Sequence, residues 1–73
     1  MSLNPLSYRE VKRKLESAGF SIISQKGSHV KFIKYTEQGS LITIVPYHKE
    51  IAIGTIRSIL RQTGLSIKQF ELL

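Results

Sequence analysis

The chain has 73 residues, with 11 Lys and Arg against 5 acidic residues, and it contains neither Cys nor Trp. That length makes one small domain, 1–73, which buries only about 60% of the surface its unfolded chain exposes. A net charge of +6 on so small a body favours a polyanion or an acidic protein as partner. Without cysteine there is no disulfide framework and no thiolate metal site, which fits a reducing, cytoplasmic setting. The opening Met1-Ser2-Leu3-Asn4-Pro5 lacks the features of a signal peptide. No apolar run approaches the ~20 residues of a membrane helix, so no membrane association is expected. All the carboxylates are Glu (Glu10, Glu16, Glu37, Glu50 and Glu71), scattered along the chain, and there is no Asp. Two-metal nucleases and glycosidases need clustered or facing carboxylates, so neither fits. No phosphate-cradling glycine loop is present either, and no metal or cofactor is expected.

The predicted elements follow in chain order. Ser7-Tyr8-Arg9-Glu10 reads as a capping box, Ser7 at the N-cap and Glu10 at N3. Tyr8, Val11, Leu15 and Ala18 recur at helical spacing, which predicts a helix over 7–18 ended by Gly19, with Arg9, Lys12 and Arg13 off the core stripe. Three short β-branched runs come next, 20–24, 29–35 and 41–45, separated by turns at Lys26-Gly27-Ser28 and Glu37-Gln38-Gly39-Ser40. Tyr47-His48-Lys49-Glu50 reads as a polar loop. Ile53, Ile56, Ile59 and Leu60 predict a second helix over 52–63, ended by Gly64. Ser66-Ile67-Lys68-Gln69 is another capping box and starts a short terminal helix over 66–73. The order α-β-β-β-α puts two helices on one face of a three-stranded antiparallel sheet, an α+β fold.

Seven cations and two Glu lie in residues 1–36, but four cations and three Glu in 37–73. Within the basic half, His29 follows the tight turn. Strand alternation puts Val30 and Phe32 on one face and His29, Lys31 and Ile33 on the other. With Phe32 toward the helices, His29 points outward between Lys26 and Lys31. Histidine suits proton transfer at a phosphodiester because its unperturbed pKa is near neutral. His48 is the candidate second member of an acid–base pair, and Lys49 lies beside it. Ser28 is a turn residue or a phosphate ligand, since no Asp exists to orient a Ser-His pair. The candidate RNA-binding set is therefore Lys26, Gly27, Ser28, Lys31, His48 and Lys49. RNA carries its own nucleophile, the 2′-OH, so its cleavage needs only a base, an acid and cations on the phosphate. DNA offers no such nucleophile. This composition fits metal-independent RNA cleavage, with no action on DNA by itself, and it equally suits a binder that cleaves nothing.

The chain resembles the HicA family of toxins, the small mRNA-cleaving partners in HicA–HicB toxin–antitoxin modules. The resemblance rests on Leu15-Glu16-Ser17-Ala18-Gly19-Phe20, Lys26-Gly27-Ser28-His29, Ile44-Val45-Pro46-Tyr47-His48, and the run from Ile53 to Leu65, Ile-Gly-Thr-Ile-Arg-Ser-Ile-Leu-Arg-Gln-Thr-Gly-Leu. It covers about 7–65 and leaves 66–73 as an extension. It implies a double-stranded-RNA-binding-domain-like fold and an endoribonuclease whose catalytic histidine, in Gly-Ser-His, is His29. It further implies action on mRNA without a metal, and a cognate HicB-like antitoxin covering the active face. Tyr47 separates Pro46 from His48 where the family has a Pro-His pair, and Thr63 stands where Ala is commoner. Two other readings remain: a non-catalytic RNA-binding domain, and an adaptor whose basic face docks an acidic protein.

Overall fold

A computed structural model describes residues 3–73. The order is β1 (Leu6–Ser7), α1 (Tyr8–Ser17), β2 (Ser21–Lys26), β3 (His29–Thr36), β4 (Gly39–Pro46), β5 (Glu50–Ile51), α2 (Ile53–Thr63) and α3 (Ile67–Glu71). Strands β2, β3 and β4 form an antiparallel sheet with β3 in the centre. The helices pack on one of its faces, as the element order predicts, and this is the double-stranded-RNA-binding-domain-like arrangement that the resemblance implies. Its side chains are Val30 and Phe32 of β3 and Val45 of β4, buried with Val11 and Leu15 of α1 and Ile56, Ile59 and Leu60 of α2. Thr43, also on that face, donates its hydroxyl hydrogen to Gln62 Oε1 at 2.6 Å and so ties β4 to α2.

Alternation places His29, Lys31 and Ile33 on the opposite, uncovered face, as expected. Ile33 nonetheless is only 7% exposed. It pairs across the ladder with Ile42 on one side and Ser21 on the other, next to the Lys31–Ile44 pair, in the centre of the sheet and apart from the core cluster under the helices. A bulge between Ile22 and Ser24 shifts the β2–β3 register.

Three features depart from the elements read in sequence. Strand β2 runs to Lys26 rather than stopping at Ser24, and β4 takes in Gly39 and Ser40 of the expected turn as well as Pro46, beyond the expected 41–45. Glu50 belongs to a strand, not a loop: Leu6 pairs with Ile51 and Ser7 with Glu50 in a second, two-stranded sheet. Two residues are too few to show any period, so sequence gives no sign of it. The first capping box is only half made. Ser7 Oγ accepts from the Glu10 N–H at 3.1 Å, but the Glu10 carboxylate turns to Arg13. The second box, Ser66 with Gln69, is complete.

Lys14 is a further correction. Counted in sequence among the cations of the basic half, it is buried. Its ammonium donates to the carbonyls of Phe70 (3.0 Å) and Leu73 (3.3 Å) and lies 5.2 Å from the Phe70 ring centre. It therefore fastens α3 to α1, and its charge is spent inside the protein. Lys14→Met keeps the stem but strands those carbonyls. It is expected to lower unfolding free energy by about 1.5–3 kcal/mol, the range for hydrogen bonds to charged groups, read from urea denaturation of the two proteins.

Candidate functional site

The β2–β3 hairpin closes through the two residues Gly27 and Ser28, with Lys26 directly opposite His29. Gly27 has φ +58°, the left-handed value that the first position of a type II′ hairpin turn needs and that glycine adopts without strain. The turn sets His29 exposed at the end of the uncovered face. Lys31 lies two residues further along the same face. On its other side His29 pairs with Pro46 of β4.

Beyond Pro46 the chain does not leave the hairpin. The Tyr47 N–H donates to the Ser28 carbonyl at 2.6 Å, and the His48 N–H turns back to the Pro46 carbonyl at 2.9 Å. Strand β5 then holds the far end of the loop against β1, at the doorstep of α1. Tyr47 consequently meets Tyr8 of α1 edge to face, ring centres 4.7 Å apart and planes at 79°. Around this pair opens a concavity of about 600 Å³ lined by Ser7, Tyr8, Arg9, Lys12, Tyr47, His48 and Lys49.

The candidate residues thus fall into two adjoining groups. Lys26, Gly27, Ser28, His29 and Lys31 form the hairpin end. His48 and Lys49 line the concavity, and His29 does not. The Tyr47–Ser28 hydrogen bond joins the two. The sequence gives Arg9 and Lys12 only as cations off the core stripe, an alternative path for RNA, and it does not single out Tyr8 and Tyr47, which also line the concavity. Tyr8 fits the core stripe of α1 and Tyr47 sits in a polar loop; long-range contacts, the β1–β5 pairing and the Tyr47–Ser28 hydrogen bond among them, bring them together.

The cations of α1 differ in availability. Lys12 pairs with Glu16 at 3.0 Å, and Arg13 with Glu10 at 3.1 Å. The Arg13 hydrogen bond holds the Glu10 carboxyl below its usual range. These two ion pairs leave Arg9 and Lys49 unpartnered by carboxylates among the described residues. Burial pushes the Tyr8 hydroxyl above its ordinary value, with Lys12 pulling the other way, so it remains a neutral phenol at physiological pH.

A family model described as the HicA toxin of bacterial toxin–antitoxin matches residues 8–65. The chain belongs to the HicA toxin family. The match takes in α1, the His29 hairpin, all three strands of the main sheet and α2, and it leaves α3 outside. HicA toxins belong to two-component modules in which a toxin is paired with an antitoxin. No curated protein matches the sequence.

Gly27 shapes the hairpin by backbone alone, because a Cβ added there meets nothing within 4 Å. Gly27→Ala is therefore expected to lower stability by about 1–3 kcal/mol, the cost of holding a residue with a Cβ at a sparsely populated positive φ, with no steric addition. Thermal melting of the variant measures it.

Proposed function

We propose that this HicA-family chain is a metal-independent endoribonuclease acting on mRNA in the cytoplasm, with His29 as its catalytic acid or base. The observation that carries the reading is the setting of His29. It is an exposed imidazole at the end of an open sheet face, with Lys26 opposite it and Lys31 on the same face. Family membership supports the toxin role. In the reaction, a base removes the 2′-OH proton and O2′ bonds to phosphorus. The P–O5′ bond then breaks, and an acid returns a proton to O5′. The products are a 2′,3′-cyclic phosphate and a 5′-hydroxyl. His29 performs one proton transfer, and His48 is the candidate for the other. Lys26 and Lys31 hold the phosphate and offset the charge that builds on it. DNA lacks the 2′-OH and is not cut by this route.

The partner reading follows from the same face. Ile42 and Ile44 are 40% and 39% exposed there, beside a histidine and two lysines. An antitoxin with an acidic, partly apolar surface would cover all of these at once and silence the nuclease. The +6 charge would also speed their encounter.

Two outcomes are expected. Purified protein cleaves RNA in EDTA, and His29→Ala slows cleavage by about 10²–10⁴-fold, the usual contribution of a positioned acid–base group. Circular dichroism and melting stay unchanged, because His29 is exposed. A fully active His29→Ala protein would overturn the mechanism. A shifted but intact RNA would favour the non-catalytic RNA binder, and no effect on RNA the protein adaptor. The second outcome concerns the antitoxin complex recovered from the native host. It melts above the free toxin, as ligand linkage to the folded state requires. It leaves RNA intact, and it weakens as salt rises. A complex that cleaves as fast as the free protein would count against occlusion of His29.

A further inference from the structure

The concavity beside the hairpin has its own chemistry. Its wall is the Tyr8–Tyr47 pair, and Tyr47 keeps 60% of its surface open. Its rim is cationic, with Arg9, Lys12 and Lys49, plus His48. Neither Arg9 nor Lys49 is neutralised by a carboxylate in the ion pairs among the described residues. An aromatic surface ringed by cations suits a ligand that is both a flat π-system and an anion. A nucleotide is both, and a volume near 600 Å³ lies within the range of small-molecule sites. An acidic peptide would use the cations but leave the Tyr47 ring uncovered.

The place of the concavity adds to the argument. Pro46 is the cross-strand partner of His29, and Tyr47 is the next residue. Standard strand geometry puts the Tyr47 and His29 Cα atoms within about 10 Å of each other. The Tyr47–Ser28 hydrogen bond fixes the loop at that distance. A strand with its scissile phosphate at His29 therefore passes the concavity within a nucleotide or two.

We infer that this pocket binds one unpaired nucleotide of the RNA substrate, its base against Tyr47 and its phosphate on Arg9 and Lys49. The inference rests on the ribonuclease reading and adds a statement about the substrate. The fold is shared with domains that read the shape of duplex RNA, where the bases are stacked inside the helix and present no free face to a tyrosine. The pocket needs such a face. It therefore selects single-stranded RNA next to the cleavage point. Stacking on an aromatic ring tolerates any base, so the pocket chooses strandedness rather than sequence.

The experiment uses the His29→Ala protein, in which RNA survives. Binding of a short fluorescein-labelled single-stranded RNA and of a blunt duplex is followed by anisotropy. Tyr47→Ala is expected to weaken single-strand binding roughly 5- to 150-fold, the span of one base–aromatic stack, and to leave duplex binding unchanged. Arg9→Gln, at an exposed helix position, weakens it too and flattens its salt dependence. Tyr47→Phe retains the affinity, and Tyr35→Ala, an exposed tyrosine outside the pocket, changes nothing. In an NMR titration, a nucleoside monophosphate shifts the Tyr47 ring resonances and leaves those of Tyr35 in place. That result shows that the pocket accepts a free nucleotide as well as a strand. Single-strand affinity indifferent to both Tyr47→Ala and Arg9→Gln overturns the inference, as does an equal loss for the duplex. The ribonuclease reading is judged separately, by cleavage with His29 intact. Cleavage with an indifferent pocket sinks only the pocket, and Tyr47-dependent binding without cleavage sinks only the nuclease.

Discussion

Strand β3 pairs with β4 over its whole length, from His29 against Pro46 to Thr36 against Gly39. Side chains alternate along both strands, so this one register decides what the protein buries and what it presents. Val30, Phe32, Thr43 and Val45 go under the helices; His29, Lys31, Ile42 and Ile44 go to the open face. A slip of one residue would exchange the two sets. It would expose Phe32 and put an imidazole and an ammonium into an apolar core. Burying Phe32 and exposing His29 are therefore a single event. The helices, the Tyr47 loop and the concavity all take their places from it.

The main sheet and both long helices were legible because each buries one face and so leaves a period in the sequence. Tyr8, Val11 and Leu15 mark α1; Ile56, Ile59 and Leu60 mark α2; and Val30 and Phe32 mark the inner face of β3. The glycines at 19, 27 and 64 punctuate these elements, and each has the positive φ its position suggests. His29 was legible for the same reason, since its face follows from that of Phe32. What escaped notice depends on long-range pairing. Strands β1 and β5 have two residues each and no pattern to find. The polar face of α1 could be read, but not that Lys14 would turn inward to the carbonyls of Phe70 and Leu73. Tyr8 and Tyr47 carried no mark of a shared concavity, because their meeting depends on long-range contacts.

Charge counted along the chain overstates what a partner meets. Lys14 is enclosed, Lys12 and Arg13 answer to Glu16 and Glu10 on their own helix, and Lys34 lies 6.0 Å from the ring centre of Phe20. The cations left without such commitments include Lys26 and Lys31 at the hairpin and Arg9 and Lys49 at the concavity. These four gather around His29 and Tyr47, whereas Arg57, Arg61 and Lys68, also outside the two ion pairs, lie on α2 and α3. The hairpin and the concavity thus hold four of the cations a polyanion can meet.

The β1–β5 pairing also has a kinetic meaning. The His29 hairpin closes over two residues, a contact that forms early and reforms quickly after a fluctuation. The concavity is flanked by the pairing of Leu6 and Ser7 with Ile51 and Glu50, a closure spanning most of the chain and made by two short strands. Contacts of such sequence separation form late in folding and carry a larger entropic cost. A fluctuation that frees β1 would loosen the entry to α1, whose Val11 and Leu15 stay in the core, while leaving the sheet, and His29 on it, intact. The two halves of the candidate site thus rest on contacts of different range, and amide exchange at Leu6 and Ser7 would run well ahead of that in β3.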